Sequence, residues 1–206
     1  MHSGSYRIQA NVIDITSDVP QKEDIFFVDT NIWYWLAYSN ASHTGQPYQL
    51  NDYPDYISVA LTNAATLCYS ELLLPELAHI IETTERNIFN VGRTPRIKSK
   101  DFRRLHPRIR INIANEVKVV REQVKGDAQP LALPLYEAIA DRAISRFASQ
   151  MVDGYDLFIL EIMENEGIIK VITDDSDYVT VPNIQVFTAN PTVLNEASSQ
   201  DKLITR

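Results

Sequence analysis

Residue types that often advertise chemistry are scarce in this sequence: one cysteine, six glycines and four histidines in 206 residues. The lone cysteine, Cys68, rules out a disulfide within the chain and fits a reducing cytoplasm. His2, His43, His79 and His106 have no metal-ligand spacing with one another. No glycine-rich phosphate loop is present, which argues against a nucleotide kinase or a dehydrogenase. No apolar run reaches the ~18 residues of a membrane span. The opening MHSGSYRIQANVIDITSDVP lacks the apolar centre of a signal peptide. A cytoplasmic protein with no membrane association is therefore expected.

What remains is ordinary globular material, 45% apolar and 22% charged. The length suits one domain with an extension, and it is enough to bury a sizeable core. Net charge is −8, but unevenly spread. Residues 86–110 hold nine Lys or Arg and one acid, Asp101, which makes that stretch about +8 and the remainder about −16. An acidic body with one polyanion-facing segment is one reading of this asymmetry, and a solvated loop is the other.

Tyr6, Ile8, Ala10 and Val12 alternate with polar residues, the period of a half-buried strand. Short apolar runs at 25–28, 66–69, 168–173 and 185–188 read as buried strands. Helical spacing is read at 31–39, 56–65, 71–90, 112–125, 135–151 and 154–165, with Pro75 tolerable only near a first turn. HTGQPYQLNDYPD reads as a loop. The basic stretch, with Pro95 and Pro107, reads as irregular, and 191–195 as a turn into a frayed tail. Strands alternating with helices predict an α/β fold with a central, mainly parallel sheet. The boundaries read as an N-terminal extension with a strand at 1–24, a main domain at 25–190 carrying the basic insertion, and a tail at 191–206.

In such sheets, sites form beyond the carboxyl ends of the strands. FFVDTN ends a strand in Asp29. SELLLPEL follows another and supplies Glu71 and Glu76. TDDSDY follows a third and supplies Asp174, Asp175 and Asp177. Asp156 opens the apolar helix before that third strand. Each acid has a plain explanation taken singly. Asp29 could cap a helix, Glu71 and Glu76 could be solvated, Asp156 could complement a helix dipole, and TDDSDY could close a loop. Taken together, unpaired carboxylates gathered at strand ends would repel one another and raise each other's pKa. A hard divalent ion resolves the repulsion: Mg²⁺ or Mn²⁺ prefers oxygen ligands and keeps several waters. Such an ion beside a basic segment points to phosphodiester hydrolysis.

These residues resemble the PIN-domain ribonuclease family. FFVDTNIWYWL resembles its first motif, LCYSELLLPELAHI its second, and YDLFILEIMENEGIIKVITDDSDY its third and fourth, over roughly residues 24–190. The resemblance implies a three-layer α/β/α domain that cleaves RNA with Mg²⁺ or Mn²⁺ and leaves the phosphate as a 5′ end. It implies Asp29, Glu76, Asp156 and Asp175 as catalytic acids holding the metal directly or through water, with Asp174 and Asp177 as alternatives for the fourth position. Thr173 would orient the last acid, and Asn31 would brace Asp29 or a phosphate. Many relatives are bacterial toxins paired with an antitoxin. An antitoxin or other inhibitor protein, and a homodimer, are therefore implied partners beside RNA, although this chain is longer than such toxins.

Arg93, Arg96, Lys98, Lys100, Arg103 and Arg104 are the candidates for holding RNA phosphates. Phe89, Phe102 and His106 could stack on bases or anchor the segment to the body. His79 reads as structural or superficial, Cys68 as core, and Trp33 and Trp35 as mostly packing. Two rivals stand beside the ribonuclease. One is a PIN-like module that binds RNA or a protein without cutting. The other is a haloacid-dehalogenase-like phosphatase, against which Asn31 stands where that chemistry needs an acid.

Overall fold

The computed structural model describes residues 6–132 and 137–206. Six strands form one sheet, all neighbours parallel: β1 (Asn11–Asp14), β2 (Ile25–Val28), β3 (Thr66–Ser70), β4 (Gln129–Leu131), β5 (Lys170–Ile172) and β6 (Gln185–Thr188). Their order is β1-β6-β5-β2-β3-β4. From β2 the chain moves outward to β3 and β4, then returns to the other side of β2 as β5 and β6. The carboxyl ends of β2 and β5 thus flank a topological switch point, where open α/β sheets leave a crevice.

Eight helices cover the sheet among the described residues: α1 (Thr30–Ala37), α2 (Pro47–Thr62), α3 (Leu73–Phe89), α4 (Ser99–Leu105), α5 (Pro107–Asp127), α6 (Glu137–Ser149), α7 (Asp156–Asn165) and α8 (Pro191–Ser199). The arrangement is a three-layer α/β/α sandwich. Alternation along each strand divides the core in two. Phe26, Val28, Leu67, Tyr69, Ile172 and Phe187 face a layer containing α1, α2, α3 and α5. Phe27, Cys68, Val171 and Val186 face the other, with Ile159, Leu160 and Met163 of α7 and Val193 and Ala197 of α8. Strands buried on both faces read as unbroken apolar runs, which is why IFFV carries no polar residue.

Several expectations are corrected. HTGQPYQLNDYPD is not a loop beyond its first residues. Pro47 opens α2, the Gln46 N–H donates to Gln49 Oε1 at 2.7 Å, and the helix runs through Pro54 because Tyr53, Tyr56, Ile57 and Ala60 are buried. The basic stretch is irregular only at 90–98, between the end of α3 and the start of α4, and α5 follows. The segment at 191–199 is a helix rather than a frayed turn: the Asn190 side chain accepts from the Thr192 N–H at 3.0 Å, and Pro191 takes the first helical position. The N-terminal strand begins later than its alternation suggests, at Asn11, and joins the sheet beside β6. The start expected for the sixth helix, at Leu135, lies outside the described residues.

Candidate active site

The switch point opens into a cleft of about 730 Å³. Asp29, Glu76, Asp156 and Asp175 all line it, contributed by the end of β2, the first turn of α3, the first residue of α7 and the loop after β5. Asp29 is 5% exposed, yet its side chain does not cap α1. Its Oδ2 instead accepts from the Thr173 hydroxyl at 2.7 Å, and the same hydroxyl oxygen accepts from the Asp175 N–H at 3.0 Å. Thr173 therefore couples the first acid to the last. It orients the Asp29 side chain and the Asp175 backbone, where the sequence suggested only the last acid. Thr30 donates its hydroxyl to Glu76. Asn31 lines the cleft but makes no hydrogen bond to Asp29.

Asp156 is held from below. The fully buried Tyr178 donates its hydroxyl to Asp156 Oδ1 at 2.8 Å. Gly154, at φ +53, turns the chain from Asp153 into α7, a backbone shape that side chains disfavour. Asp175 is in turn fixed through its Oδ1, which accepts from the Asp177 N–H at 2.8 Å.

The electrostatics of this end are those of crowded, desolvated acids. Burial, then the charges of Glu76 and Asp175, hold Asp29 far above the ordinary carboxylate range. Burial, then Asp29, Asp175 and Glu76, do the same to Asp156. Glu76 is raised by burial. Burial and neighbouring acids both disfavour the charged forms.

Two of the acids considered for the fourth position lie elsewhere. Asp174 turns toward α2, where its carboxylate accepts from Gln49 Nε2 at 2.6 Å, Tyr53 at 2.8 Å and Tyr48 at 3.2 Å. Asp177 does not line the cleft. Glu71 pairs at the surface with Arg121 at 2.9 Å. Among the described residues no three His, Cys, Asp or Glu side chains form a ready-made chelating group. The donors nevertheless fit a hard divalent ion. They are all oxygens, they face open space, and their mutual repulsion is what a cation relieves. Asp29, Glu76, Asp156 and Asp175 would be the residues to hold such an ion, and Mg²⁺ would need only one or two of them as direct ligands.

The basic segment divides. Arg103 and Arg110 line the same cleft as the acids. Arg93 and Arg96 line a separate hollow with Asn87 and Asn90. Lys98, Lys100 and Arg104 are exposed. Phe89, Phe102 and His106 pack on one another, with Phe89 and His106 centroids 4.5 Å apart and Phe102 buried, so these rings anchor the segment. Trp33 is buried and donates to the Val28 carbonyl at 3.2 Å, which makes it core.

Several lining residues had no part in the site assigned to them from the sequence. His79 stands on the α3 wall, one turn beyond Glu76. Asp153 and Tyr155 flank Gly154 at the rim. Arg110 was one cation among many in the basic stretch. His79, read as structural or superficial although a position three beyond Glu76 shares its helix face, is a wall residue of the cleft. Compared with protein-family models and with curated proteins, the sequence matches none of either.

Proposed function

We propose that this chain is a divalent-metal-dependent ribonuclease of the PIN-domain kind, which hydrolyses RNA phosphodiester bonds in the cleft at the switch point. The carrying observation is the convergence of Asp29, Glu76, Asp156 and Asp175, from four separate elements, on that one cleft. Acids brought together without a counter-charge cost stability, and such a cost persists where it serves a site. The hydroxyls of Thr30, Thr173 and Tyr178 each hold one of these carboxylates in a fixed orientation.

Mg²⁺ or Mn²⁺, when bound, lowers the pKa of a coordinated water and offsets charge on the phosphate and leaving oxygen. The protein's own part is positional. Asp29 and Asp156, buried and raised in pKa, supply carboxylates whose mutual repulsion a cation relieves, and protons compete with the cation for them. Thr173 keeps Asp29 and Asp175 in one frame. Water adds across the P–O3′ bond, the upstream fragment leaves with a free 3′ hydroxyl, and the downstream fragment keeps a 5′ phosphate.

Purified protein with Mg²⁺ or Mn²⁺ is expected to cut a single-stranded RNA, and Asp29→Asn or Asp156→Asn to lower the rate at least ~100-fold, as loss of one group from an electrostatic site does. Cleavage that persists in either variant, or in chelator, contradicts the assignment.

A further inference from the structure

Six residues beyond Glu76, on the same helix, stands Glu82. The α-helical rise places it ~9 Å farther along the cleft wall. Each oxygen of its carboxylate meets a different arginine from a different helix. Arg103 Nε of α4 lies 2.6 Å from Oε1, and Arg110 Nη1 of α5 lies 3.7 Å from Oε2. Glu82 is 14% exposed at its side chain, whereas Arg103 is 42% and Arg110 60% exposed. All three line the cleft that holds the acids.

We infer that Arg103 and Arg110, braced by Glu82, form a subsite for a second phosphate of the strand, away from the phosphate that is cut. The inference rests on the nuclease reading for the substrate but not for the geometry. One carboxylate cannot neutralise two guanidiniums, so the trio keeps a net positive charge at one end of a cleft whose other end is acidic. Each guanidinium has five N–H donors, and Glu82 engages one nitrogen of each. The remaining donors are presented to the cleft or solvent in the planar fork that matches phosphate oxygens.

The other cations of the segment do not share this placement. Arg93 lies over the Phe89 ring at 3.9 Å and donates to the Phe89 carbonyl, while Arg86 donates to Ser99. The separation along α3 exceeds the reach of a single phosphate, so the two ends of the cleft address different phosphates. A strand held at both ends is fixed in register before the chemistry, which is the division of labour expected of positioning contacts.

The test is binding of a fluorescent single-stranded oligouridine by the Asp29→Asn protein with Mg²⁺ present, measured by anisotropy over a series of potassium chloride concentrations. Each lost phosphate contact on a single strand flattens the log Kd against log salt slope by about 0.7. Arg103→Gln and Arg110→Ala are each expected to flatten it by about that amount and to weaken binding several-fold. Lys22→Ala, the same charge loss at the amino ends of the strands, leaves the slope unchanged. Arg103→Lys and Arg110→Lys, which keep the charge, retain most of the slope. Arg110 is the more exposed of the two and the more loosely paired with Glu82, at 3.7 Å against 2.6 Å, so its replacement keeps the test open if the Arg103 variant folds poorly. Slopes for both arginine variants equal to that of Asp29→Asn alone, or no binding by that protein, overturn the inference. The nuclease reading is judged separately, by Mg²⁺-dependent cleavage with Asp29 intact. A chain that never cuts but loses slope with these arginines fails as a nuclease and keeps its phosphate subsite.

Discussion

Two aspartates five residues apart bracket β2, and their surroundings are opposite. Asp24, at the amino end, is 2% exposed, and Asp29, at the carboxyl end, is 5% exposed. Burial works against the charge of both. At Asp24 the burial is outweighed by Arg206, the Gln21 N–H and Lys170, which together bring its pKa down to about 2. At Asp29 the nearest charges are other acids, and the pKa goes up to about 7. Burial alone therefore does not mark a functional carboxylate. What marks it is burial without a counter-charge at the end of the sheet where a crevice forms. Asp24 ties the start of β2 to Arg206 and Lys170, and Asp29 has no cationic partner among the charges that act on it.

The contrast breaks most sharply through activity. Asp29→Asn should remove at least ~100-fold of the RNA cleavage rate, while Lys170→Met, at the other end of the strand, should leave the rate of the folded protein within a few-fold. Stability should run the other way. Asp24→Ala leaves Arg206 and Lys170 without their shared partner and should cost about 3 kcal/mol in urea unfolding. Asp29→Asn in chelator should raise stability, on the order of 1 kcal/mol, by removing an uncompensated charge.

Acidity sharpens the same difference. The folded pKa of Asp24 lies below its unfolded value, so its contribution is present above pH ~4 and is lost as pH falls toward about 2. Asp29 and Asp156 are raised, to about 7 and about 8, so their contribution is present below pH ~4 and is lost as pH rises through those values. Metal-free protein should accordingly melt at a lower temperature at pH 8 than at pH 5. Mg²⁺ should raise Tm more at pH 8, where fewer protons compete with it for these carboxylates than at pH 5. Equal Tm shifts at the two pH values would detach the acids from the metal.

The smallest effect belongs to the hydroxyl beneath Asp156. Tyr178→Phe removes one hydrogen bond, worth about 1 kcal/mol. A several-fold loss of cleavage with little change in substrate affinity is expected from steady-state kinetics.

The meeting of Asp29, Glu76, Asp156 and Asp175 at one cleft was legible because several acids follow strand ends of one parallel sheet, although Glu71, Asp174 and Asp177, which follow them too, turn elsewhere. β2 and β6 matched their apolar runs residue for residue. The regions misread share a cause. Prolines at 47, 54 and 191 were taken as breakers, but two sit at first helical positions and the third is carried by the packing of Tyr53 and Tyr56. β4 holds Pro130 in three residues at the sheet edge, too short and too irregular for periodicity. The division of the basic segment was not legible either. Which of nine cations reaches the cleft depends on how α4 and α5 pack on α3, and no local pattern encodes that.

The most direct test is an anomalous difference map from crystals soaked in Mn²⁺. A manganese peak in the cleft, within coordinating or water-bridging distance of Asp29, Glu76, Asp156 and Asp175, is the predicted result, with the peak lost in Asp29→Asn. Saturating Mn²⁺ that leaves the cleft without a peak, or a peak that survives Asp29→Asn undiminished, contradicts the account.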